Sequence, residues 1–154
     1  MQYEIVSIRD NPDYLEAMVD YYSSRWKLNK QIWHDVISDC ITTKNSLPRW
    51  YLMKDSENVV GCVGLMADGL AKDDFKPYLA GLYVEENMRR KNLGGLLLNH
   101  ILSEAIHLGL SKIHLTTYHT GYFEKYGWVY CGDEEINSEN KVRAYVINLT
   151  DNEQ

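Results

Sequence analysis

Tyr78–Gly109 reads YLAGLYVEENMRRKNLGGLLLNHILSEAIHLG, and its parsing decides the fold. Tyr78–Val84 is a run of apolar and aromatic residues, the pattern of a buried strand. Further on, Leu93, Leu97, Ile101, Ala105 and Leu108 recur at helical spacing, with Leu98 and Leu102 beside them. Asn99, Ser103, Glu104 and His107 fall on the opposite face, and Gly109 stands where a helix C-terminal glycine belongs. Between strand and helix lies Arg89-Arg90-Lys91-Asn92-Leu93-Gly94-Gly95, a basic turn that enters the N-terminus of a helix.

Such a turn suits an anion with several oxygens. The first amides of a helix have no partner inside it, and the helix dipole makes that end positive. Glycine at 94 and 95 removes the Cβ that would keep a ligand from the backbone, and Asn92 tolerates a left-handed turn conformation. An ordinary solvated loop also accounts for the cations. It does not account for two adjacent glycines in a first helical turn, where each costs roughly 1 kcal/mol against alanine.

The whole-chain totals exclude several classes. The 154 residues suit one domain, 1–154, with a sizeable core, and 45% hydrophobic with 25% charged residues is ordinary for a soluble globular protein. No apolar run approaches a membrane span, and the opening MQYEIVSIRD is not a secretory leader. Cys40, Cys62 and Cys131 are isolated and lack metal-ligand spacing, so no metal site or disulfide framework is expected, and a reduced, cytoplasmic setting is. A net charge of −6 and a pI near 5.3 weigh against a nucleic-acid partner. An acidic surface fits a cationic amine, and it equally serves solubility.

Taken in order, Tyr3–Ile8 alternates as a first strand, and Asn11-Pro12 opens a helix with Leu15, Met18, Val19, Tyr22 and Trp26 inward. Asn29 caps a second helix with Ile32, Val36, Ile37, Cys40 and Ile41 inward. Tyr21, Tyr22, Trp26 and Trp33 are many aromatics for two short helices; they read as core, with a substrate mouth as the alternative. Trp50–Lys54 and Val59–Met66 form a hairpin, and Gly61 and Gly64 mark close approach or tight packing. The polar loop Ala67–Pro77 carries Asp68, Asp73 and Asp74 just before the central strand. After the central helix come a strand at Ile113–Thr117, a short helical segment in Tyr118–Tyr126, and a strand at Trp128–Gly132. A polar loop at Asp133–Lys141 and a last strand at Val142–Leu149 follow, with a loose tail. The order is βααβββαβαββ: an α/β fold with a mixed central sheet of about seven strands and about four helices.

Two motifs in this order resemble the GNAT superfamily of acetyl-CoA-dependent N-acetyltransferases. Leu82-Tyr83-Val84 followed by Arg89-Arg90-Lys91-Asn92-Leu93-Gly94 matches that family's strand and turn, and Tyr122-Phe123-Glu124-Lys125-Tyr126-Gly127-Trp128 matches its later Phe-Tyr-Glu-Lys-x-Gly-Phe. The resemblance extends to the element order of the whole chain. It implies acetyl-CoA as co-substrate, no metal, and a primary amine, in a small molecule or a peptide, as acceptor. Backbone amides of Arg90, Lys91, Asn92, Leu93, Gly94 and Gly95 would hold the coenzyme pyrophosphate, with Arg89 adding charge. Leu82, Tyr83 and Val84 would pair with the pantetheine arm, and the Val84 amide would polarise the thioester carbonyl. Homodimers are common in the family. Neither a nucleic acid nor a membrane is an implied partner.

This chain departs from the pattern twice. Asn92 replaces the first glycine, and Phe123 stands where a tyrosine often protonates the leaving thiolate. Tyr122 is the candidate replacement acid, with solvent as the alternative. His119, beside the last motif, is the candidate general base because histidine needs little tuning. Glu85 is a second candidate base, and a water relay from backbone is the competing account. Two other classes stand against an enzyme: an acyl-CoA-binding module of the same fold, and a general phosphate-binding α/β protein. The latter lacks GxxxxGK[ST] and GxGxxG.

Overall fold

The computed structural model describes residues 3–26, 29–68, 76–89 and 91–149. Its strands are β1 (Tyr3–Ser7), β2 (Arg49–Asp55), β3 (Asn58–Asp68), β4 (Lys76–Val84), β5 (Lys112–Thr117), β6 (Val129–Glu135) and β7 (Lys141–Asn148). Its α-helices are α1 (Leu15–Arg25), α2 (Lys30–Thr42) and α3 (Leu93–His107). The strands form one seven-stranded mixed sheet in the order β1-β2-β3-β4-β5-β7-β6. The pair β4/β5 is parallel, in register at Tyr78 and His114, whereas β1/β2, β2/β3, β5/β7 and β6/β7 are antiparallel. Among the described residues no helix is long and apolar enough to cross a membrane.

The predicted α/β class and strand number hold, and the helix count is corrected. The fourth helix is a single 3-10 turn, Phe123–Tyr126. Gly121 at φ +86° and Gly127 at φ +93° bracket it, and two left-handed residues that close together leave room for one turn. The polar loop is shorter than predicted because β6 runs on through Glu135, paired with Lys141. The predicted loose tail and the acids Asp73 and Asp74 lie outside the described residues.

Packing defines two compact units: Met1–Met66 with Ala80–Leu97, and Ala67–Leu79 with Leu98–Gln154. In the first, Val6, Ile8, Met18, Val19, Tyr22, Ile37, Cys40, Leu52 and Cys62 form one buried cluster. Asn11 precedes a 3-10 turn with Pro12 at its start, but its side chain donates to the Ser7 carbonyl instead of capping. Asn29 does cap, its Oδ1 accepting from the Gln31 amide at 2.7 Å. On α2, Ile37 and Cys40 are buried as predicted and Trp33 is core, but Ile32 is exposed. The cause is stacking, since the Trp33 ring lies 4.4 Å from that of fully buried Tyr22 at an interplanar angle of 8°. Gly64 serves packing, because a Cβ there would stand 2.4 Å from the Trp50 ring.

In the second unit the buried side chains include Leu79 of β4, Leu98, Ile101 and Ala105 of α3, Ile113 and Leu115 of β5, and Phe123, Trp128, Val142, Tyr145 and Leu149. Helix α3 stops where the sequence says. Gly109 is left-handed at φ +79°, Leu110 N–H bonds the Ala105 carbonyl at 3.0 Å, and Gly109 N–H bonds Ile106 at 3.0 Å. That pair of bonds satisfies carbonyls the helix end would otherwise leave bare.

Candidate functional site

The turn between β4 and α3 takes its shape from two local features. Glu86–Met88 forms a 3-10 turn anchored by buried Met88, and Asn92 then adopts φ +60°, the left-handed conformation its sequence permits. Asn92 is the residue from which α3 starts, its carbonyl accepting from the Leu96 amide at 3.1 Å. Helix geometry therefore leaves the amides of Leu93, Gly94 and Gly95 without an intrahelical acceptor. Leu93, Gly94 and Gly95 are buried, whereas Lys91 and Asn92 are exposed. The first turn is thus tethered by Leu93, and its glycines bring no Cβ to the donor end. These features fit a polyanionic group held by main-chain amides. Arg90 lies outside the described residues.

The strand leading into this turn has its own irregularity. Gly81 sits at φ +63° inside β4, and its carbonyl accepts from the Tyr22 hydroxyl at 2.7 Å. Past it, Leu82, Tyr83 and Val84 are partly buried. The Glu85 N–H donates to the Val60 carbonyl of β3 at 2.9 Å. Neighbouring residues of a strand direct their main-chain groups to opposite sides, so the Val84 N–H points away from β3. Arg89 reaches back from the turn: its Nε donates to the Val84 carbonyl at 3.0 Å, and its guanidinium carbon lies 5.4 Å from the Tyr83 ring centroid. The Lys91 ammonium lies 4.0 Å from the Met88 sulfur.

Glu85 is engaged by α1. Its Oε2 accepts from the Tyr21 hydroxyl at 2.6 Å and from Arg25 Nε at 2.8 Å, and its Oε1 accepts from Arg25 Nη2 at 2.7 Å. The Arg25 hydrogen bonds hold the Glu85 carboxyl below the usual carboxylate range, with help from Tyr21 and against the effect of burial. A carboxylate so stabilised is a weak proton acceptor, and its charge is already balanced. Burial, and then the bond to Glu85, push the Tyr21 hydroxyl well above its ordinary value. The aromatics of α1 and α2 continue the wall: Trp26 and Tyr21 both meet the Tyr83 ring edge-on, at centroid separations of 5.6 and 6.0 Å. Trp26 is partly exposed, whereas Tyr22 is fully buried, so core and wall are combined in one stack.

The remaining candidates belong to the second unit. His119 is exposed; its amide donates to the Thr117 hydroxyl at 3.1 Å, and its ring lies 6.3 Å from that of Tyr122. Tyr122 is partly buried, with the Lys125 ammonium 5.1 Å from its ring centroid. Phe123 is buried against Trp128 and Tyr145. The Tyr145 hydroxyl donates to the Glu124 carboxylate at 2.8 Å and accepts from Arg143 Nε at 2.9 Å, which ties the 3-10 turn to β7. Among the described residues, no group of three or more His, Cys, Asp and Glu is placed to hold a metal ion.

Sequence reading missed Gly81 and Arg25 as parts of this arrangement, and named Tyr21 only as core or substrate mouth. A signal existed for the first, since glycine inside a strand pattern marks a bulge or close approach. None existed for Arg25, which reads as an exposed helix cation.

These ionisations imply an acid dependence of stability. Glu85 is more acidic folded than unfolded, so its contribution is complete above about 4.5 and is lost as pH falls through the lower folded value. Burial lowers His100 and His114, so the unfolded chain takes up protons first as pH falls through about 6.5. The thermal midpoint is expected to fall in two stages on acidification, and Glu85→Gln is expected to remove part of the second. A midpoint level between about pH 7 and pH 5 would exclude the histidine contribution.

The model of the acetyltransferase (GNAT) family matches residues 12–128. No curated protein matches the chain. A solved GNAT-family acetyltransferase from Streptococcus pneumoniae aligns with TM-score 0.75 and 16% identity, over 96% of this chain and 99% of that one. An aminoglycoside 6'-N-acetyltransferase complexed with coenzyme A aligns with TM-score 0.72 and 16% identity, over 97% of both chains. A GNAT-family acetyltransferase from Elizabethkingia anophelis with acetyl-CoA bound aligns with TM-score 0.57 and 16% identity, over 66% of this chain and 76% of that one. At these identities the likeness carries the fold and nothing finer.

Proposed function

Because the chain belongs to the acetyltransferase (GNAT) family, we propose that it moves an acetyl group from acetyl-CoA to a primary amine by direct attack. In this reading residues 1–154 act as one catalytic domain. The observation that carries it is the β4–α3 connection: a left-handed Asn92 opening a helix whose first amides lack internal acceptors, preceded by a Val84 amide turned away from β3. Coenzyme-bound neighbours of the same fold support the choice of co-substrate.

When bound, acetyl-CoA supplies a thioester carbonyl carbon open to nucleophiles. The amides of Leu93, Gly94 and Gly95, with Arg89, Lys91 and Asn92 around them, hold the pyrophosphate, and Arg90 belongs to the same proposed run. Leu82, Tyr83 and Val84 hold the pantetheine arm along the strand. The Val84 N–H stabilises negative charge developing on the carbonyl oxygen. His119 takes the proton that the amine must shed to attack, a role that the lowered basicity of Glu85 makes unsuitable for that carboxylate. Tyr122 returns a proton to the thiolate as the C–S bond breaks. The acceptor is a small-molecule or peptide amine. Glu85 adds little pull on a cation because Arg25 already balances it.

A second reading has one observation in its favour. Phe123, in the position of the family's acid, is buried and has no hydroxyl, as suits a module that binds acyl-CoA without turnover. Calorimetric titration with acetyl-CoA followed by free-thiol release against polyamines, aminoglycosides and peptides separates the two. The enzyme releases thiol with at least one acceptor, and the module binds and releases none. Joint Arg89→Glu and Arg90→Glu replacement is expected to weaken acetyl-CoA binding about tenfold or more, as loss of a charge-assisted hydrogen bond does. Unchanged affinity would remove the turn from the site. Undiminished turnover by Tyr122→Phe would remove that residue as the acid.

A further inference from the structure

The end of β4 is held more firmly than a strand terminus needs. Tyr21 and Arg25 lie one helical turn apart on α1 and therefore share a face. Both reach Glu85, the first residue past the strand. The carboxylate accepts from one hydroxyl and from two guanidinium nitrogens, at 2.6 to 2.8 Å. The Arg25 guanidinium carbon also lies 4.0 Å from the Tyr21 ring centroid, which aligns its planar fork before it meets the carboxylate. The remaining guanidinium nitrogen donates to the Ser24 hydroxyl.

What this fixes is one peptide plane. The bond between Val84 and Glu85 has its carbonyl on Arg89 Nε at 3.0 Å and its N–H on the Val60 carbonyl at 2.9 Å. That plane turns only through ψ of Val84 and φ of Glu85. Pinning the Glu85 side chain restrains the second torsion, and so protects a main-chain bond that would otherwise fray at the strand end. The Val84 N–H belongs to the preceding peptide, which joins this fixed plane through the two torsions of Val84 alone.

We infer that Tyr21, Arg25 and Glu85 are positioning residues, a clamp on the Val84–Glu85 peptide that aims the Val84 amide without touching the reacting atoms. The catalytic consequence rests on the acetyl-transfer reading above; the restraint on the peptide does not. The clamp makes the carboxylate a tie between α1 and β4 in place of a proton acceptor. It also makes Arg25 a determinant of turnover from outside the motifs of the strand and turn.

The test uses the whole chain carrying Arg25→Ala, Arg25→Lys or Tyr21→Phe. Coenzyme A affinity, the steady-state constants with the best acceptor from the amine panel, and exchange of the Glu85 amide proton are measured for each. Arg25→Ala is expected to lower kcat about tenfold, with KM for acetyl-CoA changed by less than about twofold, because a misaimed group costs rate more than affinity. The Glu85 amide is expected to exchange about tenfold faster. Tyr21→Phe should follow in the same direction. Arg25→Lys, which keeps the charge and loses the fork, should recover part of both losses. Unaltered exchange at Glu85 in Arg25→Ala would overturn the clamp whatever the activity. Faster exchange with unchanged kcat would overturn its role in positioning. A wild-type chain protected at Glu85 that releases no thiol with any acceptor would overturn acetyl transfer and leave the clamp supported.

Discussion

Gly81→Ala is expected to destabilise the protein by about 3 kcal/mol, from two costs of similar size. The first is conformational: at φ +63° an L side chain sits in the left-handed region, which costs roughly 1–2 kcal/mol. The second is steric. A Cβ at this position would lie 2.8 Å from the Tyr22 hydroxyl oxygen, the atom that donates to the Gly81 carbonyl at 2.7 Å. Tyr22 is fully buried and stacked on Trp33 and Trp26, so it cannot swing aside without disturbing the aromatic core. Gly81→Asn separates the two costs, because asparagine tolerates the left-handed region and still carries the Cβ. Urea unfolding should rank wild type above Asn and Asn above Ala. Equal stability of all three would mean that β4 does not bend at this residue.

Leu97→Ala should cost about 3 kcal/mol, within the range for deleting a buried leucine side chain. Leu97 is fully buried on the first turns of α3. It fills the space Gly61 leaves on β3: a Cβ built on that glycine would meet the Leu97 methyl at 3.1 Å and the Tyr83 carbonyl at 3.0 Å. The truncation therefore opens a void between α3 and β3, next to the strand that carries Val84. A thermal midpoint lower by roughly 6–12 °C is expected for a chain of this size. Leu97→Met, which conserves volume, should cost less than about 1.5 kcal/mol. If the alanine variant melts with wild type, Leu97 is not the anchor of the helix.

The two costs differ in how far a sequence foretells them. Leu97 lies on an apolar stripe of period 3.6 that any reader can count. Gly81 is marked only as a glycine inside a strand pattern, and half of its need for glycine comes from a tyrosine 59 positions earlier. The candidate site divides in the same way. The order of Arg89 to Gly95, the left-handed Asn92 and the start of α3 at Leu93 were all legible, because each is a contest among torsions and hydrogen bonds within a few residues. No acid was legible at Phe123, which lacks the hydroxyl that would mark one.

The sequence by itself determined the strands, the capped second helix, the termination of α3 at Gly109 and the left-handed Asn92 in the basic turn. These depend on local preferences that act before the chain has closed on itself. Only the tertiary structure decided that Ile32 turns outward, that the fourth helix shrinks to one turn, and that Glu85 is spent on partners 60 and 64 residues away. A carboxylate carries no local sign of which cation the fold will bring to it. Its basicity, and so the chemistry open to it, is set by a neighbour that exists only once α1 and β4 have met.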